Sequence, residues 1–209
     1  MASMIRRVAL AILLFGFAAS PAFATVVVPV TVEQMARQAR CVVRAKVQGS
    51  SSAWDEGHRR IHTLTEIEVL EVLAGPPMER ATIRTLGGEV GAVGMKVSGA
   101  PHFATGEEVI LFLTEDRTDV RRFQVMGLSQ GKYVVDRSGA SPRAVPSSHG
   151  LVYAVRDGRG GLQVDPSARG PAPMGLAHLS SRVRAAASGQ PTLTTPATPA
   201  PTPPILDGD

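Results

Sequence analysis

Gly127-Leu128-Ser129-Gln130-Gly131 fits G-x-S-x-G, the turn that lifts a nucleophilic serine above the sheet of α/β-hydrolases. Asp136 and His149 follow it in the order serine, acid, histidine. The surrounding pattern is wrong for that chemistry. Lys132-Tyr133-Val134-Val135 reads as a strand, where an elbow needs a helix, and no βαβ rhythm surrounds it. A β-turn is the expected structure, and no catalytic residue is assigned. His58 and His62 are four apart, a metal-ligand spacing on a helix. They run into a strand, where that spacing opens to about 13 Å. His102, His149 and His178 fall near turns or on a late helix and are ungrouped. Gly87, Gly88, Gly91, Gly94 and Gly99 match neither phosphate-binding glycine pattern. We therefore expect no metal and no cofactor.

Trp54 is the single tryptophan and sits among turn-forming polar residues from Ser50 to Gly57. A tryptophan on a loop suits an interaction hot spot. With Asp55 beside it, and Glu89 and Met95 in the glycine-rich stretch Gly87 to Gly99, it forms the candidate binding set. Loops of this kind carry binding because a rigid scaffold holds them.

The elements that would position these residues begin after a leader. Arg6 and Arg7, the apolar run Val8 to Ala19 and Ala22-Phe23-Ala24 form the charged, greasy and small-x-small parts of a signal peptide, residues 1–24. Cleavage there would make Thr25 the first mature residue and leave no stable membrane anchor. The apolar run is too short to span a bilayer, which takes about 20 residues. A secreted or periplasmic protein is expected. Without the leader's arginines, the 22 basic residues fall to 20 against 18 acidic. That balance argues against nucleic acid, and so does the scarcity of aromatic residues. Cys41 is the only cysteine, so no internal disulfide can form and packing must supply stability. Its place in an alternating strand points it inward.

Thr31 and Gln34 fit a capping box, and Val32, Met35, Ala36 and Ala39 share one helical face. Alternation with β-branched residues then runs from Cys41 to Val164. Cys41, Val43, Ala45 and Val47 share a face. Ile61 to Leu73 is a long strand whose parity breaks near Leu70, which predicts a bulge or a sharp bend there. Ala81 to Thr85 is a further strand. Val109 to Leu113 is continuously apolar and should be the central one. Phe123 to Leu128 and Lys132 to Asp136 look like hairpin arms. Leu151 to Arg156 and Leu162 to Val164 look like a second pair, joined through Asp157 to Gly161. Leu176 to Ala187 is an expected helix, and the proline- and threonine-rich end from Gln190 cannot bury a core. The expected organisation is residues 25–168 as a β-barrel domain, 169–189 as a helical segment and 190–209 as a disordered tail. The fold class is mainly β, an OB-like antiparallel barrel with a short N-terminal helix and a C-terminal helix.

Ala39 to Val47, the polar loop after it, and the strand ending in Leu73-Ala74-Gly75-Pro76 resemble netrin-like domains, including tissue inhibitors of metalloproteases. Gly106-Glu107-Glu108 followed by Val109 to Leu113 resembles their later "glycine, acidic, apolar strand" segment. The likeness covers roughly Val30 to Asp136. It implies a five-stranded OB-type barrel with a helix. Inhibitors of that family chelate zinc through an N-terminal cysteine, whereas here the expected N-terminus is Thr25 and Cys41 is internal. The family's disulfides are missing too, so that mechanism does not carry over. The chain also looks like a broader set of exported bacterial proteins with this strand pattern.

The functional expectation is an exported, non-enzymatic interaction protein. Its partner would be an extracytoplasmic protein, among which a protease fits, with a glycan less favoured. The alternatives are a serine hydrolase using Ser129, or a protease inhibitor that works by loop insertion without zinc.

Overall fold

The chain alternates where its strands bury one side and turn the other to solvent. The computed structural model describes residues 25–147, 151–156, 161–165, 168 and 170–189. The expected leader and tail, His149 and most of the expected 157–161 turn lie outside the described residues. A short strand β1 (Thr25–Val27) leads into helix α1 (Val32–Gln38). Thr31 caps that helix: its hydroxyl accepts from Gln34 N–H, while the Gln34 side chain accepts from Thr31 N–H. The strands that follow are β2 (Cys41–Trp54), β3 (Ile61–Ala74), β4 (Arg80–Leu86), β5 (Gly88–Val90), β6 (Val93–Met95), β7 (Glu108–Glu115) and β8 (Phe123–Val125). After a 3-10 turn at Leu128–Gly131 come β9 (Lys132–Asp136), β10 (Arg143–Pro146), β11 (Leu151–Arg156), β12 (Leu162–Val164) and β13 (Met174–Gly175). Helix α2 (Leu176–Ala187) follows.

β2, β3, β4, β8 and β7 close a five-stranded barrel in that order. All contacts are antiparallel except β4 with β8, which meet in parallel through the single pair Ile83 and Phe123. This is the expected OB-like barrel with its two helices. Cys41, Val43, Ala45, Val47, Ile67, Ile83, Val109, Leu111 and Leu113 fill its interior. β9, β10 and β13 extend the sheet beyond β7. Both helices cover the outer face of that sheet, over Val42, Ile110, Phe112, Tyr133, Val135 and Ala144. β7 is thus buried on both sides, and β2 only at its start around Val42, which accounts for the unbroken apolar run in β7. Among the described residues, no helix is long and apolar enough to cross a membrane.

The bulge predicted near Leu70 is present. Arg44 pairs with Glu71 and Ala45 with Val69, so Leu70 is the extra residue and turns outward. Further register shifts follow Val42 and Val47. Such bulges bend and twist a strand pair, and barrel closure needs that bend.

The hairpin expected between Phe123 to Leu128 and Lys132 to Asp136 does not form. β8 and β9 both run antiparallel to one edge of β7, with Val125 opposite Leu113 and Lys132 opposite Leu111. They are two halves of one strand line, interrupted by a loop that closes on itself through Gly131 N–H to Met126 C=O. The interruption lets one half turn to β4 and the other to β10. Gly131 is required there, because a Cβ would sit 2.4 Å from the Met126 carbonyl oxygen. The expected β11–β12 pairing is present, and β1 adds to β11 in parallel.

Two-sided burial of β7 has a measurable consequence. Leu111 faces the barrel and Phe112 faces the helices. Leu111→Ala should cost about 2–5 kcal/mol and Phe112→Ala about 3–5 kcal/mol. A one-sided strand would show a large loss at only one of two neighbours. Denaturant midpoints of the two variants check this.

Candidate functional site

The stretch Ser50 to Gly57, expected as a loop, is strand as far as Trp54: its pairing with Thr65 to Ile61 carries β2 on, so Trp54 ends the strand and Asp55 opens the turn into β3. Asp55 Oδ1 accepts the N–H groups of Arg59 at 2.7 Å and Arg60 at 3.2 Å, which ties the turn to itself. The bond from Arg59 N–H is the main reason the Asp55 carboxyl is held below its ordinary range, against some burial. His58 takes a left-handed conformation at φ 50°, and its ring stacks on Trp54 with centroids 6.2 Å apart. Trp54 is half-buried. Glu89 and Met95 lie on the β5–β6 hairpin, Glu89 exposed and Met95 half-buried.

The structure joins these two segments. Gly87 N–H donates to the Ile61 carbonyl, and Thr63 Oγ1 donates to the Gly87 carbonyl at 2.7 Å. Ser52 and Thr63 share a hydroxyl bond of 2.9 Å beneath Gly88. A Cβ on Gly88 would lie 2.3 Å from Thr63 Oγ1 and 2.4 Å from Ser52 Oγ. Only glycine lets the second hairpin seat on the first, and its φ of 133° also disfavours any side chain. All four candidate residues therefore belong to one end of the molecule.

A second feature adjoins that end, and the sequence reading did not single it out. Beyond the Val47 bulge, Gly49 and Ser51 on β2 pair with Glu66 and Leu64 on β3, which pair in turn with Thr82 and Arg84 on β4. These form the outer surface of the barrel there, and the loop 116–122 after β7 rises beside it. Two adjoining depressions of about 430 and 590 Å³ share Glu66 and Thr82. Arg122 lines the first, and Arg80 and Arg121 line the second. The furrow is polar apart from Leu64, Ile67 and Ala81. The signal in the sequence was the row His62, Glu66, Glu68 on β3, polar apart from Leu64, together with the charged run Asp116 to Arg122. Only the fold brings the two together.

The loop is anchored from below. Asp116 is fully buried, and its carboxylate accepts from Thr118 N–H at 2.8 Å, Thr118 Oγ1 at 2.7 Å and Arg84 Nη1 at 3.2 Å. Burial raises its pKa, but these bonds outweigh burial and hold it at about 2. Arg84 also reaches Thr118 Oγ1 at 2.7 Å and His62 Nε2 at 2.8 Å. Asp119 pairs with both Arg121 and Arg122.

Other sequence candidates occupy different settings. Ser129 is 1% exposed on the 3-10 turn, its Oγ without a hydrogen-bond partner among the described residues, and a strand follows it. Positive φ in that turn falls on Gly127 and Leu128, not on the serine. Asp136 stands at the far end of β9 and accepts from Ser138 N–H at 2.9 Å. Cys41 is buried in the barrel, where burial pushes its thiol up to about 11, offset slightly by Arg40. His58 and His62 are engaged separately, with Trp54 and with Arg84. Among the described residues no three His, Cys, Asp or Glu side chains group as a metal site.

Neither a scan against protein-family models nor a search of curated proteins returned a match.

The anchor predicts an acid response. Asp116 titrates near 2 when folded and near 3.8 when unfolded, so its contribution is complete above about pH 4 and fades as pH falls towards 2. The shift corresponds to about 2 kcal/mol. Urea midpoints at pH 5 and pH 2.5 should fall further apart for the wild type than for Asp116→Asn.

Proposed function

We propose that this protein is an exported, non-enzymatic binding module whose target is an extracytoplasmic protein. The observation that carries the reading is the union of the two candidate loops, Trp54 and Asp55 on one hairpin and Glu89 and Met95 on the other, into a single backbone-tethered end of a closed barrel. A preformed surface loses little freedom when it engages a partner. In OB barrels the outer face of the second and third strands, with the loops joining strands one to two and four to five, is where ligands lie. Here those parts are β3, β4, the Trp54 turn and the loop 116–122, which border the furrow. The furrow's mixed charges and hydroxyls suit a polar protein segment better than an aromatic-stacked glycan or nucleic acid. The leader in the sequence supports a site of action outside the cytoplasmic membrane.

The hydrolase alternative has less support. A nucleophile must reach its substrate, while Ser129 is buried and has no hydrogen-bonded base among the described residues. A fluorophosphonate probe should not label the protein. Labelling that disappears in Ser129→Ala would overturn the binding reading.

Affinity capture from cell envelope and culture medium tests the proposal directly. Trp54→Ala should weaken retention of the captured partner at least about tenfold, as expected for an aromatic hot spot. Glu89→Lys, on an exposed hairpin position, should weaken it without changing the unfolding midpoint. Undiminished capture by both variants would remove this end of the barrel from the interaction.

A further inference from the structure

Arg84 is the hub of the furrow's loop wall, and its bonds impose a protonation state on His62. A guanidinium has donors only. The 2.8 Å contact between Arg84 Nη2 and His62 Nε2 therefore requires that ring nitrogen to be an acceptor, without a proton. The same guanidinium donates to Asp116 and Thr118, and Thr118 in turn donates twice to Asp116. Backbone bonds from Asp116 N–H to Arg122 C=O and from Arg122 N–H to Asp119 C=O close the loop above this base. Arg121 and Arg122, which line the furrow, stand on it.

We propose that His62 is a proton-operated latch on the loop 116–122: with Nε2 bare it seats Arg84 on Asp116 and Thr118, and on protonation it releases that seat. The protonated ring can only donate, so it loses the Arg84 bond and competes with Arg84 for Asp116. The inference rests on the reading of the furrow as part of the binding surface, and makes that surface sensitive to pH.

The charged groups around His62 are known from each side. Arg84 comes from β4, Asp55 and Arg60 from the β2–β3 turn, and Asp116 from the loop after β7. Its ladder neighbours Ala53 and Leu86 are neutral. Burial first, then Arg84, disfavour the proton, while Asp55 and Asp116 favour it in part. The balance lies below the ordinary histidine range, so the latch is closed at neutral pH and opens on acidification. Because the unfolded chain takes up this proton more readily, the same group makes folding less favourable as pH falls through about 6.5 and below.

The test follows amide hydrogen exchange of residues 116–122 in the purified protein between pH 7.5 and 4.5, corrected for intrinsic exchange rates. Protection should fall about tenfold as His62 protonates, the worth of one hydrogen bond to a charged group. In His62→Gln, whose side-chain oxygen accepts without titrating, protection should stay level. An equal fall in His62→Gln, or none in the wild type, overturns the latch. A second measurement needs no variant: the His62 ring and the Thr118 amide, followed by NMR, should titrate with one midpoint, and separate midpoints overturn it. Neither experiment needs a partner. A protein that keeps the latch but whose capture is unaffected by Trp54→Ala and Glu89→Lys refutes the binding reading alone.

Discussion

Two-sided burial of β7, joined by the first residues of β2, is the constraint from which the rest of this structure follows. β7 has one row of side chains in the barrel and another beneath the helices, while β2 adds Cys41, Val43, Ala45 and Val47 to the barrel and Val42 beneath the helices. Each fully buried aliphatic or aromatic side chain contributes about 1.5–3 kcal/mol relative to exposure, so these two strands hold much of the stabilising burial. Neither helix is optional in this arrangement. Without them Val42, Ile110 and Phe112 would form an open apolar patch. α1 and α2 are coupled through Arg182 and Glu33, so the layer closes as a unit. With a single cysteine, no covalent link shares that task.

Where the outer face runs out from under the helices it becomes charged, in an ordered way. Arg44 lies between Glu71 and Glu108, at 3.0 and 2.8 Å. Arg137 pairs with Glu108 at 2.8 Å, and Arg184 of α2 reaches Glu71. Charges alternate across β3, β2, β7 and the chain just after β9. Each half-buried ion has its partners, so the desolvation cost is offset locally. The hydrogen bond from Arg137 leads the effects that hold Glu108 below its ordinary range. Lys132 follows the same logic from β9. Its buried ammonium donates to Glu107 at 2.7 Å and to the His102 carbonyl, and lies 4.8 Å from the centre of the Phe103 ring. It thereby holds the segment before β7 against the barrel.

Much of the fold could be read from the sequence because the deciding signals are local. The Thr31–Gln34 capping box, the alternation in Cys41 to Val47 and the parity break at Leu70 each involve neighbours a few residues apart. The unbroken apolar run of β7 marks it as a central strand. What could not be read was pairing. Phe123 to Leu128 and Lys132 to Asp136 have the look of hairpin arms, since turn residues separate two short β-rich runs. The free edge of β7 accepts both, and that edge has no sequence signature. The furrow was hidden for the same reason. Arg84 and Asp116 are 32 residues apart, and nothing in either residue type names the other. Trp54 and Glu89 were each picked for a loop setting. Their meeting depends on a hydroxyl pair and a glycine that only the fold brings into register.

The position of the candidate site follows from where apolar packing stops. Inward positions of β2 are Val43, Ala45 and Val47 as far as its last bulge, after which the residues bonded across to β3 are the exposed Ser50 and the half-buried Ser52. On β3 the facing residues are Thr65 and Thr63, and Thr85 of β4 joins them. The β2–β3 arm beyond the bulge therefore carries a ladder of hydroxyls in place of a core. Hydroxyls satisfied against one another hold geometry without demanding a thick apolar layer above them. This leaves room for the β5–β6 hairpin to rest on the arm through Gly88, and for the loop 116–122 to stand over the outer face. An apolar arm would have drawn a third helix or a further sheet over itself. A hydroxyl arm can remain a surface, rigid enough to present Trp54 and open enough to be reached.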